Sequence, residues 1–95
     1  MTTTLFVKHR VSDYSNWKRG YDGFTPFRNK SSVIAASVHR DVNDPMVIMV
    51  THQFKDTGAM MAFANSAELK AAMAGAGVIG MPEIWFGEDL EHTNY

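Results

Sequence analysis

Leu5-Phe6-Val7-Lys8-His9-Arg10-Val11, followed by Ser12-Asp13 and then by Tyr14, Trp17, Tyr21 and Phe24 on one helical stripe, is the stretch that decides the fold. The β-branched, alternating content from Thr4 to Val11 predicts a strand. Asp13 suits an N-cap, because its carboxylate can accept the free amides of the first turn. A short helix with four rings on one side must lay them against something broad, and a sheet is the natural surface. The gap between that helix and its sheet is the natural place for a ligand.

Outward from this unit, Gly20 and Gly23 weaken the first helix by up to about 1 kcal/mol each. Thr25-Pro26 reads as a fresh start, with Thr25 as cap and Pro26 at the first helical position. The spacing therefore predicts a long helix broken or bent near Gly23. Val33 to Asp41 and Met46 to Phe54 read as second and third strands, joined into a hairpin by a tight turn at Asn43-Asp44-Pro45. Asp56 caps a second helix that runs, with a break at Ser66, to about Ala74, where Gly75 and Gly77 end it. Pro82 to Glu88 is the fourth strand.

The order β-α-β-β-α-β is the ferredoxin-like pattern, an α+β fold. Right-handed crossovers give strand order 4-1-3-2, antiparallel, with both helices on one face. A tight turn places His39 opposite Ile48, Ser37 opposite Val50 and Ala35 opposite His52. Both faces of the hairpin are then substantially apolar, unlike a sheet solvated on one side. A second copy of the chain is the simplest cover for the free face.

The 95 residues are read as one domain, residues 1–95, with a polar, loosely ordered tail after about Leu90. At 45% hydrophobic, 20% charged and net charge −1, the chain has no charge block to attract nucleic acid. No run reaches the ~18 apolar residues of a membrane helix. Met1-Thr2-Thr3-Thr4 lacks the basic and apolar regions of a signal peptide. Cysteine is absent, which removes disulfides and thiolate chemistry and points to the cytoplasm.

Val11-Ser12-Asp13-Tyr14-Ser15-Asn16-Trp17-Lys18, the turn Asn43-Asp44-Pro45, Ser66-Ala67-Glu68-Leu69-Lys70-Ala71-Ala72-Met73, and Gly77-Val78 followed by Pro82-Glu83-Ile84-Trp85-Phe86 resemble the dimeric α+β-barrel superfamily. That group includes antibiotic-biosynthesis monooxygenases, stress-responsive barrel proteins and small proteins labelled cyclases. The resemblance spans nearly the whole chain and implies a homodimer whose two sheets close into a barrel, with a pocket beside the helices. The Asn, Trp, Tyr and Arg set with which the monooxygenases oxidise phenolic substrates without a cofactor has no position-by-position counterpart here. Trp17 and Tyr21 stand on the first helix instead.

His9 shares the alternation class of Leu5, Val7 and Val11, so it faces the helix side, either as an acid or base near neutral pH or as a core histidine. His39 lies about 10 Å from it by strand spacing. His52 sits at the opposite end of the sheet, and His92 is in the tail. These positions, without any His-x-His or helical His-Glu pattern, make no metal site within one subunit. Both helices lack a histidine that could ligate haem. Gly75-Ala76-Gly77-Val78-Ile79-Gly80 spells G-x-G-x-x-G, but it follows a helix and precedes a strand, so it reads as a helix stop. The aromatic stripe and Met60, Met61 and Met73 read first as core and second as pocket wall. Lys8 and Arg10 alternate to the other face.

Two functions stand side by side. One is a cofactor-independent, monooxygenase- or cyclase-like enzyme acting on a small hydrophobic or aromatic molecule. His9 is its acid or base, and Trp17, Tyr21, His52 and Trp85 shape the pocket. The other is a non-catalytic ligand-binding or stress-related homodimer. An open helix–sheet cavity with His9 at its wall favours the first; a gap filled by Trp17 and Phe63 favours the second.

Overall fold

The computed structural model describes residues 2–95. Alternate residues of the first strand, β1 (Thr3–Val11), are buried: Thr3, Leu5, Val7, His9 and Val11. The third, β3 (Val47–Phe54), buries Ile48, Val50, His52 and Phe54 in the same rhythm. These two strands pair antiparallel at the centre of the sheet, Leu5 opposite His52 and His9 opposite Ile48. The outer strands are β2 (Val33–Arg40) and β4 (Val78–Glu88), giving the order β2-β3-β1-β4. This is the ferredoxin-like arrangement expected from the sequence. No helix among the described residues is long and apolar enough to cross a membrane.

Four short helices lie against the face that carries the odd residues of β1. The first pair is α1 (Tyr14–Gly23) and α2 (Thr25–Lys30), separated at Phe24 as the glycine and proline signals predict. Asp13 caps α1 by accepting from the Asn16 amide at 2.9 Å. Thr25 does not cap α2. It is the first helical residue, and its hydroxyl accepts instead from the Arg28 guanidinium at 2.9 Å. The second pair is α3 (Thr57–Ala64), capped by Asp56, and α4 (Ala67–Gly75), capped by Ser66. Gly77 then turns the chain at φ +82°, where its carbonyl accepts from the Ser12 amide.

The hairpin register differs by one residue from the expected one. Ser37 faces Thr51, His39 faces Met49 and Ala36 faces His52. The cause is Asp41. Its carboxylate accepts from the amides of Asn43 and Asp44, each at 3.0 Å, and its own amide donates to the Val47 carbonyl. Five residues, Val42 to Met46, therefore form the loop in place of a tight turn. A one-residue slip exchanges the faces of a strand. Ala36 and Val38 join the helix side, and Ser37 and His39 join the open side. A bulge at Ile34 absorbs the mismatch at the other end.

Strand β4 starts four residues earlier than its sequence suggests. Lys8 pairs with Glu83 but Arg10 with Ile79, so Gly80, Met81 and Pro82 bulge opposite His9. Gly80 supplies the positive φ of +72°, and Pro82 has no amide to lose. After β4 no further helix or strand forms. The tail is nevertheless anchored where it leaves the sheet: the Asp89 carboxylate accepts from Thr2, Thr4 and Gln53.

Helices α1 and α4 cross at Gly20, where an added Cβ would stand 2.8 Å from the Cβ of Ala76. Helix propensity alone makes Gly20→Ala favourable by up to about 1 kcal/mol. Overpacking against the buried Ala76 costs about 1–3 kcal/mol. The clash dominates, so Gly20→Ala lowers the urea midpoint. A raised midpoint would show that α4 moves away freely.

Candidate functional site

A cavity lies between α1, α2 and α4 on one side and the inward residues of β1 and β3 on the other. It measures about 60 Å³, within an envelope of about 600 Å³ that includes its open mouth. Trp17 and Tyr21 form one wall, their rings stacked with centroids 5.1 Å apart. Both belong to the stripe Tyr14, Trp17, Tyr21, Phe24, which spacing of three and four residues keeps on one side of the helix. Leu5, Val7 and Val50 form the sheet wall, and Phe63, Leu69 and Met73 close the far side. The space is thus a small cavity walled by Trp17 and Phe63.

His9 and His52 both reach this cavity from the sheet, one at each end. His9 meets the edge of Trp17 at 5.7 Å. His52 sits among Phe63 at 5.2 Å, Tyr21 at 6.2 Å and Phe54 at 6.5 Å. Each ring is about 6% exposed, and neither nitrogen of either ring has a hydrogen-bond partner. Burial lowers the pKa of His9 below its ordinary value. Burial, and secondarily the charge of Arg28, pushes His52 down from 6.5 to about 4. Both imidazoles are therefore neutral at neutral pH, each with one N–H and one lone pair unused.

Of the residues singled out in the sequence, His9, Trp17, Tyr21 and His52 converge on the cavity. Trp85 does not. It pairs with Phe6, and both lie on the open face of the sheet, half exposed. Period-two alternation gives the wall position to Ile84, opposite Val7. His39 is exposed on the open face beside Ser37, and His92 lies in the tail beside Asn94. Among the described residues no three His, Asp or Glu side chains cluster as a metal site would require.

Arg28 is the functional candidate that sequence reasoning missed. It is buried, lines the cavity and lies with its guanidinium 3.9 Å from the centre of the Tyr21 ring. One of its amino groups donates to the Tyr21 carbonyl and to the Thr25 hydroxyl. The signal was present, because Arg28 continues the stripe four residues beyond Phe24. An arginine on an aromatic stripe is a charge aimed at the core.

No protein-family model matches the chain, and no curated protein matches it in sequence. Solved structures do. The fold is similar to that of a proposed antibiotic biosynthesis monooxygenase from Bordetella bronchiseptica, with TM-score 0.78 and 12% identity over 95% of this chain and 98% of that one. It is similar to SnoaB, a cofactor-independent oxygenase from Streptomyces nogalater, with TM-score 0.77 and 8% identity over 96% and 95% of the two chains. A protein of unknown function from Nitrosomonas europaea shares 20% identity at TM-score 0.75, over 99% of this chain and 94% of that one. The structural neighbours thus include proteins of the antibiotic biosynthesis monooxygenase kind that the sequence resembles. At these identities the likeness establishes the fold.

The depressed pKa of His52 makes stability depend on pH. Its folded value lies below its unfolded one, so the unfolded chain binds more protons between about pH 6.5 and 4. The contribution is complete above that window and is lost as pH falls through it, by about 3 kcal/mol in all. Urea midpoints should therefore drop between about pH 7 and pH 4. His52→Phe, which suits the surrounding rings, should flatten much of that slope. An unchanged slope in His52→Phe would mean that other groups carry the acid sensitivity.

Proposed function

We propose that this chain binds a small, largely apolar organic molecule in the helix–sheet cavity, and that His9 serves there as a general base in a cofactor-independent reaction of the monooxygenase or cyclase kind. The observation that carries this reading is a pair of buried histidines, with no partner for any ring nitrogen, at the wall of an aromatic-lined cavity. Buried polar groups are ordinarily satisfied. Groups left unpaired beside a cavity have their donors and acceptors free for a ligand. Neutral at pH 7, His9 can take a proton from an O–H or an acidic C–H of the substrate. The substrate is left as an anion and His9 as an imidazolium. Trp17 and Tyr21 hold a flat ring. The same proton removal opens both oxidation by dioxygen and ring closure.

The second reading, a ligand-binding homodimer without catalysis, draws support from the small volume of the cavity. The two are separated by identifying the molecule that copurifies with the protein, using native mass spectrometry, and following its turnover in air. His9→Asn should remain folded and lose about 10²- to 10⁴-fold in rate, the usual contribution of a general base. Undiminished turnover by folded His9→Asn removes His9 from the mechanism. A ligand that is bound but never turned over supports the second reading.

Both readings take the active species as a homodimer. Phe6 and Trp85 form a cross-strand pair on a sheet face that no helix covers, 42% and 53% exposed. Ile79 adds to the same face at 51%. A second copy would bury these side chains sheet to sheet, over more than about 2,000 Å² in all for an obligate pair. Light scattering at micromolar concentration should give the dimer mass, and Phe6→Glu with Trp85→Glu should give the monomer. A wild-type monomer defeats the assignment. The cytoplasmic setting rests on the cysteine-free composition.

A further inference from the structure

Arg28 carries a charge that the described residues do not neutralise. Among the described residues no carboxylate lies within 4 Å of it: Asp22, the carboxylate whose charge reaches it, is paired with Lys18 at 2.5 Å, and Asp44 is paired with Arg10. Stacking on Tyr21 and two hydrogen bonds from a single amino group offset part of the cost of burial. Among the described residues nothing accepts from the Nε–H or the second amino group, and these donors keep some contact with solvent. A guanidinium held on a cavity wall with donors free and no anion beside it is a half-built pair.

The other half of the site is His52. It lines the same cavity, it is close enough for the Arg28 charge to act on it, and its N–H has no partner. Around the two polar groups the wall is apolar, with Leu5, Val50, Phe63, Leu69 and Ile84. We infer that the ligand of this cavity is an organic carboxylate, its head seated on Arg28 and His52 and its apolar body held against Leu5, Val50 and Phe63. This rests on the reading that the cavity takes an organic ligand, and it narrows the class.

The head group follows from the donors. A guanidinium offers two parallel N–H bonds to one planar carboxylate, and a neutral imidazole adds a third. One cation does not balance a phosphate dianion. An alcohol or a phenol arrives uncharged at neutral pH and leaves Arg28 as it was.

The test compares benzoate with benzamide, two probes of the same shape that differ in charge, by calorimetric titration of the full chain at about pH 7. Benzoate should bind at least about tenfold more tightly, the discrimination expected of a charge-assisted pair. Arg28→Met should bring benzoate down to the level of benzamide, and Arg28→Lys should retain part of the preference. Equal binding of the two probes, or a preference that survives Arg28→Met, overturns the carboxylate assignment and leaves the apolar-ligand reading intact. Binding of neither probe overturns both. Where Arg28→Met does not fold, the wild-type ring resonances of His52 decide. They should shift with benzoate and not with benzamide, and immobile resonances reject the site.

Discussion

The wedge of Trp17 between helix and sheet is the contact on which the rest of this structure depends. The ring is 3% exposed, stacked on Tyr21 and set edge-on to His9. It joins the inner ends of α1 and β1, the two elements that Asp13 connects. A large aromatic side chain there supplies several kcal/mol of burial to a small domain whose total stability is only about 5–15 kcal/mol. Its bulk also sets the height of α1 above the sheet. Because α1 stands off at that height, Tyr21, Phe24 and Arg28 descend along the same stripe toward β3 and leave a gap that their side chains do not fill. Gly20, pressed against Ala76, lets α4 close over that gap.

Much of this was legible in the chain because it is written in local chemistry. Alternation in β1 named the inward residues, His9 among them, carboxylate caps at Asp13 and Asp56 located two helix starts, and the break at Ser66 is where that residue caps α4. What was not legible depended on partners distant in sequence or on competition between local options. Asn43-Asp44-Pro45 looks like a tight turn, yet the Asp41 carboxylate captures two loop amides and lengthens the loop, exchanging the faces of β2. Thr25 looks like a cap, yet Arg28 takes its hydroxyl. Trp85, expected at the pocket, faces away from it. Its face is decided by the parity of its pairing with β1, which a bulge of three residues opposite His9 obscures in the sequence.

Arg28 belongs to a different class of miss. Charge on a helix ordinarily reads as solvent face, and α2 is only six residues long, too short for periodicity to speak. Only when α1 and α2 are treated as one interrupted stripe does Arg28 fall in line with Trp17 and Tyr21. The interruption at Phe24 preserves the stripe while changing its direction. An interrupted helix can in this way deliver a cation to a place that a straight one would miss.

The two histidines show how near this site lies to being ordinary core. Each buried polar group without a partner costs about 1–3 kcal/mol, so His9 and His52 together consume a noticeable part of the stability of a small domain. Phenylalanine at position 52 would pack with Phe54 and Phe63 at no such cost. A fold that keeps imidazoles where hydrocarbon would hold it together better is trading stability for chemistry. The trade is coherent only if something else satisfies those nitrogens for part of the time. The guanidinium of Arg28 on the same cavity makes the same demand as the N–H of His52, for an acceptor. One anionic guest meets both at once, and water alone cannot neutralise the charge.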